Sequence, residues 1–275
     1  MSVLLGVAHG SRDPRAQEVV QDLLVLTAGL RPGLRAEAAY VDNASPSIRA
    51  AVARLVQEGE RDVTVVPLLL SAASHSKTDV AASVQAARFA HPGVVLRYGR
   101  PLGPHPVVVD VLERRLVEAG AADLPVVLVA NGSLDPDANA GVAATARLLW
   151  EGRDHPSVDY AFVSTTRPSL PEALDRLRAQ GHPRVAVARY FLGPGHLPGK
   201  VAELAAASGL DVVVSEPLGA SEGLATLVLG RYDEARAGDT RMNCDACLYR
   251  TPYPGRERLV GAPQVPHTHP DDAAP

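Results

Sequence analysis

The sequence is poor in cysteine, in positive charge and in long apolar segments, and each shortage excludes a class of protein. Only two cysteines occur in 275 residues, so no disulfide framework holds the chain together. The 27 Lys and Arg residues are outnumbered by 31 Asp and Glu, which argues against a protein that tracks nucleic-acid phosphates. No apolar stretch approaches the roughly 20 residues that cross a bilayer, and the N-terminus lacks the pattern of a secretory signal. We therefore expect a cytoplasmic globular protein with no nucleic-acid or membrane partner.

Short apolar runs rich in β-branched residues alternate with segments of helical period along most of the chain. Strands that show no polar alternation are typical of parallel sheets whose two faces are both covered by helices. The pattern therefore predicts an α/β protein. The predicted strands are Val3–Ala8, Ala36–Val41, Val63–Leu70, Val94–Tyr98, Val126–Ala130, Val158–Val163, Val185–Phe191 and Val212–Ser215.

The second half of the chain repeats motifs of the first half in the same order. The segment HGSRDPRA, which begins at His9, corresponds to NGSLDPDA, which begins at Asn131. Farther along, YVDNASPSIRAAVARLVQEG corresponds to FVSTTRPSLPEALDRLRAQG. Ordered matches of this kind indicate a duplication. We predict two tandem lobes, each a parallel sheet flanked by helices, over 1–118 and 119–237, followed by an irregular tail over 238–275.

The residues that follow the predicted strands differ between the two lobes. Ligands of open parallel sheets bind beyond the carboxyl ends of the strands, so these positions bear on function. The first lobe has His9, Asp42 and His75 there. The corresponding residues of the second lobe are Asn131, Ser164 and His196, which keep only one of the three titratable groups.

Taken singly, each residue of the first lobe also has an ordinary structural interpretation. His9 suits a turn histidine that bonds to backbone, Asp42 suits a cap for the helix beginning near Pro46, and His75 precedes another helix. Taken together, two histidines and one aspartate are a typical set for a divalent transition metal with open coordination positions. A neutral imidazole also accepts protons near pH 7. The joint pattern favours a metal site over three separate structural roles.

These motifs resemble the sirohydrochlorin chelatases, which are class II chelatases of tetrapyrrole synthesis. The resemblance rests on HGSRDPRA, YVDNASPSI and VVPLLLSAASHSKTDV together with the duplicated second lobe. It implies a lyase-type enzyme that inserts a divalent metal into sirohydrochlorin without ATP, with Fe²⁺ expected ahead of Co²⁺. It also implies that His9 and His75 bind the metal and accept protons. Asp42 is the third metal ligand in this prediction, at a position where many members carry glutamate.

Sirohydrochlorin carries many carboxylates, so the resemblance also implies donors that bind it. Arg12 is the first candidate cation near the strand ends, and Ser11 and Asn131 are candidate neutral donors. Each also has an interpretation as an ordinary solvated or turn residue.

The tail contains the segment MNCDAC, in which Cys244 and Cys247 are the only cysteines of the chain. This segment resembles the Met-x-Cys-x-x-Cys tail of longer sirohydrochlorin chelatases, whose cysteines bind an iron–sulfur cluster. Two thiolates fall short of the usual four, so a cluster would need ligands from elsewhere, for example through a homodimer formed by the tail. Zinc held by both cysteines with His267 and His269 is a second interpretation, and a reversible thiol pair is a third.

Two function classes remain open at the level of sequence. The first is the chelatase, and the alternative is a metal or tetrapyrrole carrier or sensor that performs no insertion. The same ligands accept Fe²⁺, Co²⁺ or Ni²⁺, so the residues do not select the physiological metal. His196 lacks titratable partners at Asn131 and Ser164, so we expect it to contribute little to the chemistry.

Overall fold

A computed structural model of the chain describes residues 2–73, 76–240, 247, 249–263, 265 and 269–273. Strands and helices alternate through the first two of these segments. Their bounds in chain order are β1 Val3–Ala8, α1 Pro14–Gly29, β2 Ala36–Tyr40, α2 Ile48–Gln57, β3 Asp62–Pro67, a π-helical turn Ser76–Val80, α3 Ala81–Ala90, β4 Val95–Tyr98, α4 Pro106–Glu118, β5 Val126–Ala130, α5 Pro136–Gly152, β6 Val158–Phe162, α6 Leu170–Ala179, β7 Arg184–Arg189, α7 His196–Ala206, β8 Asp211–Val214 and α8 Glu222–Ala237.

Each half of the chain forms one four-stranded parallel sheet. The strand order is β2-β1-β3-β4 in the first sheet and β6-β5-β7-β8 in the second. Every residue of the central strands β1 and β5 is buried, as expected for strands covered on both faces. The predicted fold class, two tandem lobes of parallel α/β structure, is confirmed. We call β1 to α4 the first repeat, and β5 to α8 the second repeat.

The two faces of β1 pack against different helices because successive side chains alternate across a strand. Leu5 and Val7 join a core cluster that includes Val52 and Leu55 of α2. On the opposite face, an added Cβ on Gly6 would lie 2.7 Å from Leu24 Cδ2, so the absence of a side chain lets α1 pack close to the strand. The second repeat has a similar cluster, with Val127 and Val129 of β5 against Leu170, Leu174 and Leu177 of α6.

The compact units of the structure do not follow the predicted boundaries at 118 and 237. One unit consists of Met1–Leu102 with Ala220–Pro275, and the other is Gly103–Gly219. Helix α4 packs on α5 and β7, whereas α8 packs on α1, β3 and β4. The last helix of each repeat, α4 or α8, therefore packs on the sheet of the other repeat. The repeated sequence motifs do not indicate this exchange of helices.

Buried polar groups attach α8 to the first sheet. The Tyr232 hydroxyl, on a side chain that is buried, donates to Ser2 O at 2.8 Å. The Arg231 guanidinium donates from Nε to Pro101 O at 3.0 Å, just beyond β4. Because unpaired buried carbonyls are unfavourable, these hydrogen bonds favour the observed placement of α8.

The tail after α8 has little regular structure among its described residues. Two short 3₁₀ segments, Glu257–Leu259 and Pro270–Ala273, are its regular elements there. This agrees with the predicted irregular tail. None of the helices in the described parts of the chain is long and apolar enough to span a membrane.

The exchange of α8 predicts that Tyr232→Phe destabilises the first sheet selectively, by about 1–2 kcal/mol, because Ser2 O loses its partner. Hydrogen exchange in the full chain measures this, with faster exchange expected in β1 and unchanged exchange in β5. Tyr190→Phe, at a buried tyrosine of the second repeat, is the matched control and should act on β5 instead. Equal effects of Tyr232→Phe on both sheets would contradict the packing.

Candidate metal site at the ends of β1 and β2

Two turns meet at the carboxyl ends of β1 and β2. His9 follows β1, Asp42 lies just beyond β2, and the Asp42 N–H donates to His9 O at 2.9 Å. Gly10 has φ +94°, and an added Cβ would lie only 1.6 Å from Asp42 O. Glycine is therefore required on two grounds, the left-handed backbone and the close approach of the second turn. The result is that His9 and Asp42 are held side by side.

The His9 side chain is exposed at this edge of the sheet, and one of its ring nitrogens is oriented by backbone. Nδ1 lies 3.2 Å from Gly10 O. A carbonyl oxygen only accepts, so Nδ1 is the donor and Nε2 carries the lone pair of the neutral ring. This tautomer, fixed by a backbone carbonyl, is the usual arrangement of a histidine that binds metal through Nε2.

The Asp42 carboxylate is oriented by its neighbour Asn43. Asp42 Oδ1 accepts the Asn43 backbone N–H at 2.8 Å, and Oδ2 accepts the Asn43 side-chain amide at 2.7 Å. Asn43 has φ +57°, a left-handed conformation that asparagine tolerates better than most residues. Its Oδ1 in turn accepts from Arg12 Nε at 3.3 Å. Asn43 thus joins Asp42 to Arg12, a role that none of the sequence motifs indicates.

The alternative structural role of Asp42 as a helix cap is not observed. Helix α2 begins at Ile48, and Ser47 is its N-cap, with the Ser47 side chain accepting from Ala50 N–H. A capping role therefore does not explain an aspartate at position 42. Its role as a metal ligand stays a prediction that the geometry supports.

The second repeat builds the same backbone without the titratable side chains. Ser164 N–H donates to Asn131 O at 2.9 Å, and a Cβ on Gly132 would lie 2.2 Å from Ser164 O. The Ser164 hydroxyl donates to Asn131 Oδ1 at 2.9 Å. The scaffold therefore requires neither an imidazole nor a carboxylate at these positions. Asn131 is exposed, and its predicted contact with substrate stays a prediction.

His75 lies outside the described residues, which end at Ala73 before it and resume at Ser76 after it. Strand β3 pairs with β1, so the segment after β3 begins at the same sheet edge as His9. Ala73 O accepts both the N–H of Ser76 at 3.0 Å and its hydroxyl at 2.9 Å. The Tyr98 hydroxyl also donates to Ser76 O, and burial raises the pKa of Tyr98, which keeps this donor protonated. The π-helical turn that starts at Ser76 is of a kind frequent at functional sites.

Ser11 and Arg12 occupy the turn that leads into α1. The Ser11 hydroxyl oxygen accepts the Asp13 N–H at 3.1 Å, and Asp13 is the N-cap of α1. Ser11 thus has a structural role besides its predicted contact with substrate. Arg12 is exposed, and apart from its Nε bond to Asn43 it stays a predicted substrate contact.

No group of three or more His, Cys, Asp or Glu residues within the described ranges is arranged to hold a metal. The predicted set of three includes His75, which those ranges omit. The described part of the site is thus the pair His9 and Asp42.

The tail ligands are described only in part. Cys244 and His267 lie outside the described residues, and Cys247 is half-buried. His269 is buried, its Nε2 lies 2.8 Å from Ala44 O, and its Nδ1 accepts the Asp271 N–H at 3.1 Å. Both ring nitrogens of His269 are therefore hydrogen-bonded, which argues against the Cys₂His₂ zinc interpretation.

Comparison with known proteins identifies the family. The family model CbiX matches residues 3–119 and 125–235, which span both repeats. The chain belongs to the CbiX family. The resemblance inferred from the sequence motifs is thereby confirmed, whereas the tail lies beyond the residues that the family model matches.

Relatives of this CbiX protein carry chelatase names. A sirohydrochlorin cobaltochelatase of Priestia megaterium is 30% identical over 261 residues, which cover 91% of this chain and 85% of the relative. A sirohydrochlorin ferrochelatase of the same organism is 28% identical over 235 residues, covering 83% and 88%. SirB from Bacillus subtilis, solved with Fe³⁺, superposes with a TM-score of 0.75 at 27% identity, covering 88% of this chain and 100% of SirB.

The interlocked turns predict a large effect of Gly10→Ala. We expect a loss of about 2 kcal/mol or more in the free energy of unfolding. The new Cβ would clash with Asp42 O, and alanine would also have to adopt the unfavourable positive φ of Gly10. Urea unfolding measures the loss. Gly59→Ala is the matched control, since Gly59 has φ +96° with no atom within 4 Å of an added Cβ, and it should lose only about 1 kcal/mol. Equal losses would show that the contact with Asp42 is unimportant.

Proposed function

We propose that this CbiX protein inserts a divalent metal into sirohydrochlorin without ATP. The observation that carries the proposal is the juxtaposition of His9 and Asp42 on a turn pair that the second repeat builds with Asn131 and Ser164. Because the scaffold stands without them, the two titratable side chains call for a functional explanation. The chelatase names of the relatives support the same conclusion.

The proposed chemistry follows from what insertion requires. A metal entering a free-base macrocycle displaces two pyrrole protons, so the site needs proton acceptors and metal ligands that release their cargo. Imidazole nitrogen supplies both properties, and His9 Nε2 carries the lone pair in the tautomer that donates from Nδ1 to Gly10 O. The Asp42 carboxylate offsets part of the cation's charge. His75, as the third proposed ligand, still leaves coordination positions open for the pyrrole nitrogens.

Substrate carboxylates are proposed to bind near the same turns. Arg12 is exposed and uses Nε toward Asn43, while a guanidinium carries further N–H groups suited to a carboxylate. Arg12 thus links the proposed anion contact to Asn43 and through it to Asp42. Ser11 and Asn131 are the proposed neutral contacts.

Fe²⁺ is the proposed cargo from the sequence resemblance, and Co²⁺ is the second candidate. Co²⁺ is favoured by the relative of 30% identity, which is named a cobaltochelatase. Competition between the two metals at equal anaerobic concentrations distinguishes them by the absorbance spectra of the products. A homodimer that completes an iron–sulfur cluster on Cys244 and Cys247, and a cytoplasmic location, are further parts of the proposal. The mechanism needs neither cysteine.

The test is an anaerobic absorbance assay with sirohydrochlorin and Fe²⁺ or Co²⁺. His9→Ala should lower kcat/KM by about 100-fold or more, through loss of a ligand and proton acceptor. Asp42→Asn should raise KM for the metal by about tenfold, with a smaller effect on KM for sirohydrochlorin. His196→Ala is the control in the second repeat and should keep most activity.

Two outcomes would contradict the proposal. Turnover by the wild type no faster than the uncatalysed reaction would leave the carrier or sensor function in its place. A loss in His196→Ala as severe as in His9→Ala would show that the second repeat shares the chemistry.

A further inference from the structure

The C-terminal segment 269–272 lies on the turn that carries Asp42. The Asp271 carboxylate accepts the Ser45 hydroxyl at 3.0 Å and the Ser47 N–H at 3.0 Å. The Asp272 carboxylate accepts the Ser47 hydroxyl at 2.6 Å. Two acidic side chains of the tail thus accept hydrogen bonds from Ser45 and Ser47, which lie between the Asp42 turn and the first residue of α2.

A buried histidine completes the attachment. His269 is 3% exposed, and since Ala44 O only accepts, His269 Nε2 is the donor in their 2.8 Å hydrogen bond. The Asp271 N–H donates back to His269 Nδ1, which fixes the local shape of the tail. Together the tail residues bond to Ala44, Ser45 and Ser47.

The second repeat holds the equivalent turn with a residue of its own. Glu172 Oε2 accepts the Ser169 N–H at 2.7 Å and the Ser169 hydroxyl at 2.9 Å, forming a capping box at the start of α6. The Ser169 backbone N–H lowers the pKa of Glu172, so the cap is an ionised carboxylate. The first repeat has Ala50 at the position of Glu172 and cannot form this box. Asp271 and Asp272 supply the missing carboxylates from the end of the chain.

The turn between these attachments is short. Tyr40 N–H donates to Pro46 O at 2.9 Å and closes its base, while Asp42 N–H donates to His9 O. Asp42 therefore lies between a point fixed on β1 and a stretch fixed by the tail. If the tail bonds are lost, the base of the turn and the bond from Ala50 N–H to the Ser47 hydroxyl oxygen still constrain the Ala44–Ser47 side, but no carboxylate holds the Ser47 N–H.

We propose that Asp271 and Asp272 are positioning residues that hold the Asp42 turn in its metal-binding geometry. They accept the Ser47 N–H and hydroxyl, as Glu172 does for Ser169 in the second repeat. This inference rests on the proposed function, because it takes Asp42 to be a metal ligand. It gives the C-terminal end of the chain a role in the reaction that is independent of the two cysteines.

The experiment compares the full chain with Asp271→Ala/Asp272→Ala, and with the same double variant carrying Ala50→Glu. Hydrogen exchange over residues 42–50 should be about tenfold faster in the double variant, with residues 164–172 of the second repeat unchanged as internal reference. KM for Co²⁺ should rise by about three- to tenfold, with KM for sirohydrochlorin unchanged. Ala50→Glu builds the capping box within the first repeat, so it should restore both values.

Several results would overturn the proposal. Unchanged exchange over 42–50 would show that the tail does not hold the turn, and faster exchange with unchanged KM for Co²⁺ would show that holding it does not position Asp42. The capping explanation would be excluded if the double variant has the melting temperature of the wild type and Ala50→Glu restores neither its exchange over 42–50 nor its KM for Co²⁺.

The failure of the proposed function is distinguishable from these results. If the wild type shows no turnover, the Kd for Co²⁺ from equilibrium dialysis replaces KM in the comparison. In that assay a double variant that binds Co²⁺ like the wild type overturns the positioning role, and weaker binding restored by Ala50→Glu supports it.

Discussion

The close approach of Gly10 to the Asp42 carbonyl is the constraint on which the candidate site depends. With no Cβ at position 10, the turn after β1 fits against the turn after β2, and the Asp42 N–H reaches His9 O. A side chain there would separate the two turns. The sheet places the ends of β1 and β2 next to each other, and the close contact at Gly10 then holds the His9 and Asp42 side chains side by side.

The duplication separates what the scaffold needs from what the chemistry needs. Gly132 and Ser164 reproduce the close contact and the backbone hydrogen bond of the first repeat, while histidine and aspartate are replaced. A difference in capping accompanies this difference in chemistry. Helix α6 carries its own glutamate cap, whereas the turn before α2 is held by carboxylates from the far end of the chain. The repeat proposed to bind metal is thus also the one that depends on the tail.

The fold class and the two repeats were predictable because strand and helix periods and the internal match are local signals. The predicted boundary at 118 differs from the compact units because the packing of α4 and α8 is decided by contacts between residues far apart in sequence, such as Tyr232 with Ser2.

The site was predictable as a set of strand-end residues, since parallel strands bring their carboxyl ends together. The orientation of Asp42 by Asn43 was not predictable because it depends on the turn conformation. The docking of Asp271 was not predictable because it is a contact across most of the chain. The sequence also did not show that Ser47, and not Asp42, caps α2, because the choice depends on the backbone conformation where the helix begins. The sequence Ser45-Pro46-Ser47 after Asp42 predicts a turn, but it does not show which side chain caps α2.

The most direct test of the central claim, that the first repeat binds the metal through the paired turns, is an anomalous difference map from a crystal of the full chain grown with Co²⁺. We expect a cobalt peak about 2.1 Å from His9 Nε2 and within bonding distance of the Asp42 carboxylate. Cobalt bound elsewhere in the protein, with His9 and Asp42 both unligated, would contradict it.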